Sequence, residues 1–82
     1  MFINKAKDGK NNICGRNIAM FRKEMNISQR ELAERLQVAG LDIDKNAIQR
    51  IESGKRFVTD IELTVISGIF DKTYDELMDE NA

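Results

Sequence analysis

Apolar residues recur at three- and four-residue steps along most of this chain of 82 residues. That spacing places them on one face of an α-helix, whereas a β-strand would alternate at every second position. Five segments between positions 13 and 80 follow the helical pattern, and the chain has no proline to interrupt them. A domain of this size buries only about 60% of the surface that its unfolded chain exposes. We therefore predict a single all-α domain, a compact five-helix bundle.

Residues that cap helices predict where these segments begin and end. The first helix is expected to run for about 13 residues from Ile13 and to end at Asn26. Ser28 followed by Glu31 has the spacing of a capping box, in which hydroxyl and carboxylate bond backbone N–H groups at the start of a helix. Gly54 is expected to end the third helix. The predicted N-caps of the last three helices are Asp44, Thr59 and Thr73.

The apolar faces of the helices predict the core. The fourth segment has the highest apolar share, which predicts that it is the central packing element. Its apolar residues are Ile61, Leu63, Val65, Ile66, Ile69 and Phe70. The inward-facing residues expected on the other helices are Ile18, Phe21, Met25, Leu32, Ala33, Leu36, Ala47, Ile48, Ile51, Tyr74, Leu77 and Met78.

The side of the third helix that faces away from this core carries hydrogen-bond donors. They are Lys45, Asn46, Gln49 and Arg50. In the DNA major groove, Arg pairs bidentately with guanine and Asn or Gln with adenine, and each such pair discriminates by about 1 to 3 kcal/mol. The same residue types are also common on ordinary solvated helices, because they favour helix formation. Four together, on the helix that follows a capped one, favour a nucleic-acid interface.

Two stretches, ISQRELAERL and NAIQRIESGKR, resemble the phage-repressor-like helix-turn-helix family, also called the Xre or Cro family. The pattern of that family is Ser-Gln-x-x-Leu-Ala followed by Ile-x-x-Ile-Glu-x-Gly-x-Arg. The matching residues are Ser28, Gln29, Leu32, Ala33, Ile48, Ile51, Glu52, Gly54 and Arg56. The resemblance implies a lambda-repressor-like bundle in which helix three enters the major groove and helix two lies across the DNA backbone.

The resemblance also implies roles for individual residues. Lys45, Asn46 and Arg50 match positions that commonly touch bases, while the roles of Gln49 and Asp44 stay open. Contacts to backbone phosphates are implied for Gln29, Lys55, Arg56 and Arg16. An ion pair between Arg22 and Glu52 would belong to the scaffold and join helices one and three.

One departure from the family pattern lies between the two motifs, where this chain has about five more residues than the tight version. The hinge, QVAGLDID, is therefore expected to be an extended loop that cannot set the helix crossing angle by itself. Doubling the length of a loop costs only about 0.6 kcal/mol in closure entropy. Burying one Leu or Ile side chain stabilises by about 1.5 to 3 kcal/mol. We predict that Leu41, Ile43 or both pack into the core and that Gly40 permits the bend. The start of helix three decides whether Asp44 and Lys45 reach bases or only the backbone.

Charge is distributed unevenly along the chain. Residues 1 to 58 carry twelve Lys and Arg against seven Asp and Glu, or +5, and residues 59 to 82 carry one against seven, or −6. A basic part followed by an acidic tail can direct one face toward phosphates, although alone it is a weak signal. Residues 1 to 12 are basic and lack apolar periodicity. They are predicted to be a flexible N-terminal arm before a DNA-binding domain of residues 13 to 80.

No group of residues indicates catalysis. The chain has no histidine, one cysteine, no phosphate-binding glycine loop and no metal-ligand spacing, so we expect no enzyme activity, metal or cofactor. Cys14 is expected to be a small apolar residue near the start of helix one. The acidic C-terminal residues lack the glycine and terminal glutamate of a calcium loop, which favours a solvated face. They are Asp71, Asp75, Glu76, Asp79 and Glu80. Without a membrane-spanning stretch or a signal-peptide core, the chain is expected to be soluble and cytoplasmic.

These observations together predict a sequence-specific transcriptional regulator, most simply a repressor, whose partner is double-stranded DNA. Because one recognition helix reads few base pairs, we expect a weak homodimer on half-sites about 10 base pairs apart or a multiple of that. The C-terminal helix, with Phe70, Tyr74 or Met78, could supply the dimer contact. The alternative is a protein-interaction module of the same fold, an antitoxin-like or anti-repressor partner that binds another protein.

Overall fold

The computed structural model describes residues 4 to 81 and contains five helices. These are α1 (Gly15–Glu24), α2 (Gln29–Val38), α3 (Lys45–Glu52), α4 (Asp60–Phe70) and α5 (Tyr74–Leu77). Within the described range no residue lies in a β-strand. The prediction of an all-α five-helix bundle is confirmed. None of the helices in that range is long and apolar enough to cross a membrane.

Side-chain caps begin four of the five helices. Ser28 accepts a hydrogen bond from the Glu31 N–H at 3.0 Å, and the Glu31 carboxylate accepts one from the Ser28 N–H at 3.2 Å, which confirms the predicted capping box. Thr59 and Thr73 form the same reciprocal capping box with Glu62 and Glu76, whereas the Asp44 side chain only accepts a hydrogen bond from the Ala47 N–H. The first helix begins at Gly15, two residues later than predicted, where the Asn12 side-chain oxygen accepts the Gly15 N–H at 2.8 Å.

The four longer helices end in the same geometry, with one residue in the left-handed region. These residues are Asn26 (φ 58°), Gly40 (φ 100°), Gly54 (φ 81°) and Asp71 (φ 52°). In each case the N–H of the following residue bonds a carbonyl in the last turn of the helix, as in a Schellman motif. Gly, Asn and Asp are the residues that adopt this conformation most readily. The predicted ends at Asn26 and Gly54 are thereby confirmed.

The helix at the centre of the bundle is α3, which packs against both α1 and α2. Its Ile48 and Ile51 are fully buried. The prediction that α4 is the central packing element was wrong, because α4 buries only Ile66 and Phe70 completely and leaves Ile61 69% exposed. Apolar residues occur all round α4, so a high apolar share measures its hydrophobicity and not the direction in which its side chains point.

Besides Ile61, three residues predicted to lie in the core are exposed. Met25 follows the last turn of α1, and Tyr74 and Met78 flank the short α5, where only Leu77 is buried. Each stands at the end of a helix, so the helical period no longer directs its side chain inward. The remaining predicted inward residues of α1, α2 and α3 are buried or, for Ala47, packed against the core.

The connection between α2 and α3 is held by packing and by one side-chain hydrogen bond. Ile43 is buried in the core and Leu41 packs against it. The Gln37 side-chain amide donates to the Ile43 carbonyl oxygen at 2.8 Å. The bend follows Gly40, whose φ of 100° is accessible to glycine without strain. The orientation of α3 therefore rests on a buried side chain of the loop, as expected for a loop too long to fix it.

Candidate nucleic-acid interface

The outer side of α3 presents a row of polar side chains to solvent. They are Lys45, Asn46, Gln49 and Arg50, all of them exposed. Ile48 and Ile51 anchor the opposite side of the helix in the core. Because α3 begins at Lys45, the Asp44 side chain is used as its N-cap and accepts the Ala47 N–H at 2.8 Å. In the described part of the chain, neither Lys45 nor Arg50 forms an ion pair.

A buried ion pair sets the position of α3 against the two preceding helices. Arg22 of α1 donates from Nε to Glu52 Oε2 at 2.7 Å and from Nη2 to Oε1 at 3.1 Å. A third nitrogen, Nη1, donates to the Ile27 carbonyl at 2.9 Å. The hydrogen bond with Glu52 raises the pKa of Arg22 above its usual value, so the guanidinium stays charged. The scaffold role that the family resemblance implied for Arg22 and Glu52 agrees with this geometry.

Gln29 takes part in the same cluster. Its side-chain amide donates to Glu52 Oε1 at 2.9 Å, which ties the first residue of α2 to the last residue of α3. The Gln29 side chain is therefore directed at Glu52. The exposed feature here is the N-terminal end of α2 itself. Backbone N–H groups at a helix start favour anions because they lack partners within the helix.

Arg56 lies in the connection between α3 and α4 and pairs with Glu62 of α4. Its Nη2 and Nη1 atoms donate to Glu62 Oε2 and Oε1 at 2.9 and 3.1 Å. Burial raises the pKa of Glu62, but the hydrogen bonds from Arg56 and from the capping residue Thr59 outweigh it and leave the pKa below its ordinary value of 4.5. Arg56 therefore braces the start of α4, a contact that the sequence did not predict.

The other two predicted phosphate contacts, Lys55 and Arg16, belong to different elements. Lys55 is exposed directly after the left-handed Gly54 that ends α3. Arg16 is exposed on α1, where its Nη2 donates to the Glu80 carbonyl oxygen at 2.7 Å near the C-terminal end. The structure thus groups the four donors of α3 with Lys55 and places Arg16 beside the acidic tail.

Sequence reasoning missed two asparagines that reach the end of α3 from the N-terminal segment. The Asn12 side-chain amide donates to the carbonyls of Ile51 and Arg56 at 3.0 and 2.7 Å. That of Asn11 donates to the Lys55 carbonyl at 3.0 Å. Both belong to the predicted arm of residues 1 to 12, of which residues 1 to 3 lie outside the described part. No apolar period marks such contacts, because they join amides to backbone carbonyls about forty positions away.

Cys14 is buried at the start of α1, as expected for a small apolar residue. Burial raises the pKa of its thiol to about 11. The neutral thiol is a poor nucleophile at physiological pH, because the thiolate is the reactive form.

In this structure a capped helix is followed by a second helix with one buried and one exposed side, and the small bundle holds the two at a fixed angle. Such a pair of helices defines a helix-turn-helix unit. The sequence model of the helix-turn-helix family matches residues 18 to 77. The chain therefore belongs to the phage-repressor-like, or Xre/Cro-like, helix-turn-helix family. The domain that defines this family is found in DNA-binding regulators. No curated protein and no solved structure matches the chain.

Proposed function

We propose that this protein is a transcriptional repressor that occupies an operator by inserting α3 into the DNA major groove. The observation that carries the proposal is the row of four exposed donors on α3, fixed from behind by fully buried Ile48 and Ile51. A rigid helix of about 10 to 12 Å diameter fits the width of the major groove. Repression then needs no chemistry, since occupancy alone excludes other proteins from the site.

The four donors suit base recognition in different ways. Arg50 can bind guanine O6 and N7 with two parallel hydrogen bonds, and Asn46 or Gln49 can bind adenine N6 and N7. Lys45 stands in the first turn of α3, where it can reach a base or a phosphate. Each correct bidentate pair contributes about 1 to 3 kcal/mol of discrimination.

Backbone contacts are proposed for the N-terminal end of α2 at Gln29 and for Lys55. Gln29 bonds Glu52, the last residue of α3, and Lys55 follows soon after that residue, so both positions lie near the C-terminal end of α3. Arg56 and Arg16 are weaker candidates, because their guanidinium groups already bind Glu62 and the Glu80 carbonyl. A phosphate would have to compete with those partners.

A homodimer is proposed because one helix reads too few base pairs for an operator. Phe70 is buried, so it cannot supply the dimer contact that the sequence suggested for it. Tyr74 is exposed and its hydroxyl donates to Thr64 Oγ1 at 3.1 Å, which brings α5 against α4. Ile61, one turn before Thr64, is also exposed, so we place the contact on this surface of Ile61, Thr64 and Tyr74.

Two substitutions test the base and phosphate roles. Duplexes selected from a random pool by the purified protein supply the preferred sequence, and affinity is then measured on that duplex and on random DNA. Arg50→Ala should weaken binding mainly to the preferred duplex, by about 1 to 3 kcal/mol. Lys55→Ala should weaken binding to both duplexes alike and reduce the salt dependence. Equal losses on both duplexes for Arg50→Ala would contradict the assignment of base reading to α3.

The second candidate function, a protein-interaction module, is favoured by one observation. Val38, at the end of α2, is an apolar side chain that is 90% exposed, and Ile61 is 69% exposed. Surfaces that bind proteins often expose such groups. A wild-type protein whose affinity for duplex DNA does not fall steeply with salt, but which binds another protein through Val38, would favour this candidate over the repressor.

A further inference from the structure

The N-terminal segment is attached to the C-terminal end of α3 by its backbone as well as its side chains. The Asn11 N–H donates to the Gly54 carbonyl at 2.8 Å, and the Asn11 side-chain amide donates to the next carbonyl, that of Lys55, at 3.0 Å. Asn12 adds the bonds to Ile51 and Arg56 described above. Residues 11 and 12 therefore belong structurally to the helical domain, which moves the start of the domain before the predicted boundary at residue 13.

Lys10, the residue before Asn11, lies directly over Gly54. A Cβ atom placed on Gly54 would come within 2.5, 2.7 and 2.9 Å of Lys10 Cδ, Cγ and Cβ. The backbone around Lys10 is closed into a small loop, since its N–H donates to Asp8 Oδ1 at 3.0 Å and its carbonyl accepts the Ala6 N–H at 2.9 Å. The aliphatic part of Lys10 is thereby packed at the end of α3, against the residue that precedes Lys55 in the chain.

The charges of Lys10 and Lys55 are not neutralised within the described residues. No ion pair there includes either lysine. Glu52 lines the same small surface cavity as Lys10 and Gly54, but both of its oxygens are bound by Arg22. Besides Glu52, the cavity is lined by the acidic Asp8 and Glu80 and by the basic Lys7, Lys10 and Arg16. Because Glu52 is paired with Arg22, the cationic side chains outnumber the two remaining carboxylates, and an anion approaching this place meets a net positive charge.

The place of Lys10 continues the row of proposed phosphate contacts. Glu52 connects Lys10's cavity to Gln29 at the start of α2, since it accepts the Gln29 amide at 2.9 Å. Gly54 lines the same cavity and directly precedes Lys55 in the chain. Lys10 thus lines a cavity together with Glu52, the partner of Gln29, and Gly54, the residue before Lys55. Gln29 and Lys55 are the two positions that the proposed function assigns to the DNA backbone.

We propose that Lys10 is a further DNA-contact residue, whose ammonium group binds a backbone phosphate beside those bound by Lys55 and the N-terminal end of α2. This inference rests on the proposed function and extends its interface to the N-terminal segment. A phosphate contact carries no sequence information, so Lys10 raises affinity for every duplex equally. The hydrogen bonds of Asn11 and Asn12 position this contact relative to α3.

Three variants test the proposal. Lys10→Met keeps an unbranched chain over Gly54 and removes the charge, whereas Lys10→Arg keeps the charge. Lys23→Met removes an exposed charge from α1 and serves as the matched control. Affinities for the preferred and a random duplex are measured by fluorescence anisotropy between roughly 50 and 300 mM salt. Lys10→Met should reduce the slope of log affinity against log salt by about 0.9 on both duplexes, and the two other variants should keep the wild-type slope.

The outcomes separate the inference from the function on which it rests. A wild-type protein that binds with steep salt dependence and a Lys10→Met variant of unchanged slope would overturn the Lys10 contact alone. A loss of affinity in Lys10→Met that comes with a lower unfolding midpoint, and with the wild-type slope, would assign Lys10 to folding and also overturn it. If the wild-type protein binds no duplex in a salt-dependent way, the proposed function fails and the contact fails with it.

Discussion

Gly15 is a position where α1 approaches α3 closely. A Cβ atom there would overlap the Ile51 carbonyl oxygen and lie 2.7 Å from Asn12 Oδ1. The Asn12 side chain links the two helices here, because its oxygen accepts the Gly15 N–H at 2.8 Å and its amide nitrogen donates to the Ile51 carbonyl at 3.0 Å. One residue without a side chain therefore lets the N-terminal segment, α1 and α3 meet at one point.

We expect Gly15→Ala to lower the free energy of unfolding by about 1 to 3 kcal/mol, because the helix must shift to make room for the methyl group. Gly68→Ala is the matched control, since Gly68 is in α4 and a Cβ there meets nothing within 4 Å. That change should stabilise by about 0.5 to 1 kcal/mol, as alanine favours helix more than glycine does. Urea unfolding measures both, and a stable Gly15→Ala variant would mean that the close approach is not rigid.

At the scale of elements, α1 and α3 are joined by the pair of Arg22 and Glu52. The side chains are only 12% and 8% exposed, so water screens the pair weakly. By contrast, Arg30 and Glu34 on α2 form an exposed pair, 80% and 61% accessible, with a separation of 3.5 Å. These two pairs differ in burial and in geometry, since the first is bidentate and joins two helices, whereas the second lies within α2.

Glu52→Ala should lower the free energy of unfolding by about 3 to 5 kcal/mol, because it leaves Arg22 buried without its counter-charge. Glu34→Ala should change it by less than about 1 kcal/mol. Chemical unfolding of the two variants provides the comparison. Similar small effects for both would mean that Arg22 finds water or another partner when Glu52 is removed.

The ion pair of Arg56 and Glu62 gives the fold a dependence on pH. The pKa of Glu62 is lower in the folded protein than its ordinary value of 4.5. The carboxylate therefore contributes stability above pH 4.5, and this contribution is lost as the pH falls through the lower folded pKa.

Glu62→Gln should lower the free energy of unfolding by about 1 kcal/mol at pH 7, because the partly exposed pair loses its charge while the glutamine can still cap α4. The deficit relative to wild type should shrink as the pH falls below 4.5 and the wild-type carboxyl becomes protonated. Urea titrations at several pH values measure this, with Glu24→Gln at an exposed position as the control. A deficit that stays constant with pH would exclude the carboxylate as its cause.

Features that depend on neighbouring residues in the chain were predictable from the sequence. The caps at Ser28, Asp44 and Thr59 and the outward face of α3 follow from spacings of three or four positions, which a helix converts directly into geometry. The burial of Ile43 also followed, because only packing can orient a helix after a long loop.

Features that depend on distant residues were not predictable in this way. The hydrogen bond from the Asn12 side chain to the Arg56 carbonyl and the ion pair of Arg56 with Glu62 form only when separate elements have reached their folded positions. The pair of Arg22 and Glu52 was expected only from the family resemblance, since thirty positions separate its members. The role of α4 was misjudged for a related reason: how hydrophobic a helix is does not determine where in the bundle it lies.

Considered as a whole molecule, the protein has its proposed recognition helix and its proposed dimer surface on different elements. The donors of α3 and Lys55 belong to the basic part of the chain, whereas Ile61 and Tyr74 belong to the acidic part of residues 59 to 82. This separation would let two copies meet through α4 and α5 while both recognition helices stay available to DNA.

We expect Ile61→Asp to abolish cooperative binding to an operator of two half-sites and to leave affinity for a single half-site nearly unchanged. A buried charge at the proposed contact would cost more than the isoleucine contributes, whereas α3 is untouched. Val38→Asp is the matched control, because Val38 is also apolar and exposed but lies at the end of α2. Sedimentation with and without DNA measures the assembly, and loss of cooperativity in the Val38 variant alone would move the dimer surface to α2.

The loop before α3 also offers a place to attach a reporter group. Asp42 is exposed, while Ile43 beside it is buried and keeps the loop in position. A cysteine introduced by Asp42→Cys would be accessible to a maleimide dye, whereas the native Cys14 is shielded, with a thiol pKa of about 11. Labelling would then mark a single site two residues before Asp44, the cap of α3, and the emission of the dye would follow the arrival of an operator without altering any of the four donors.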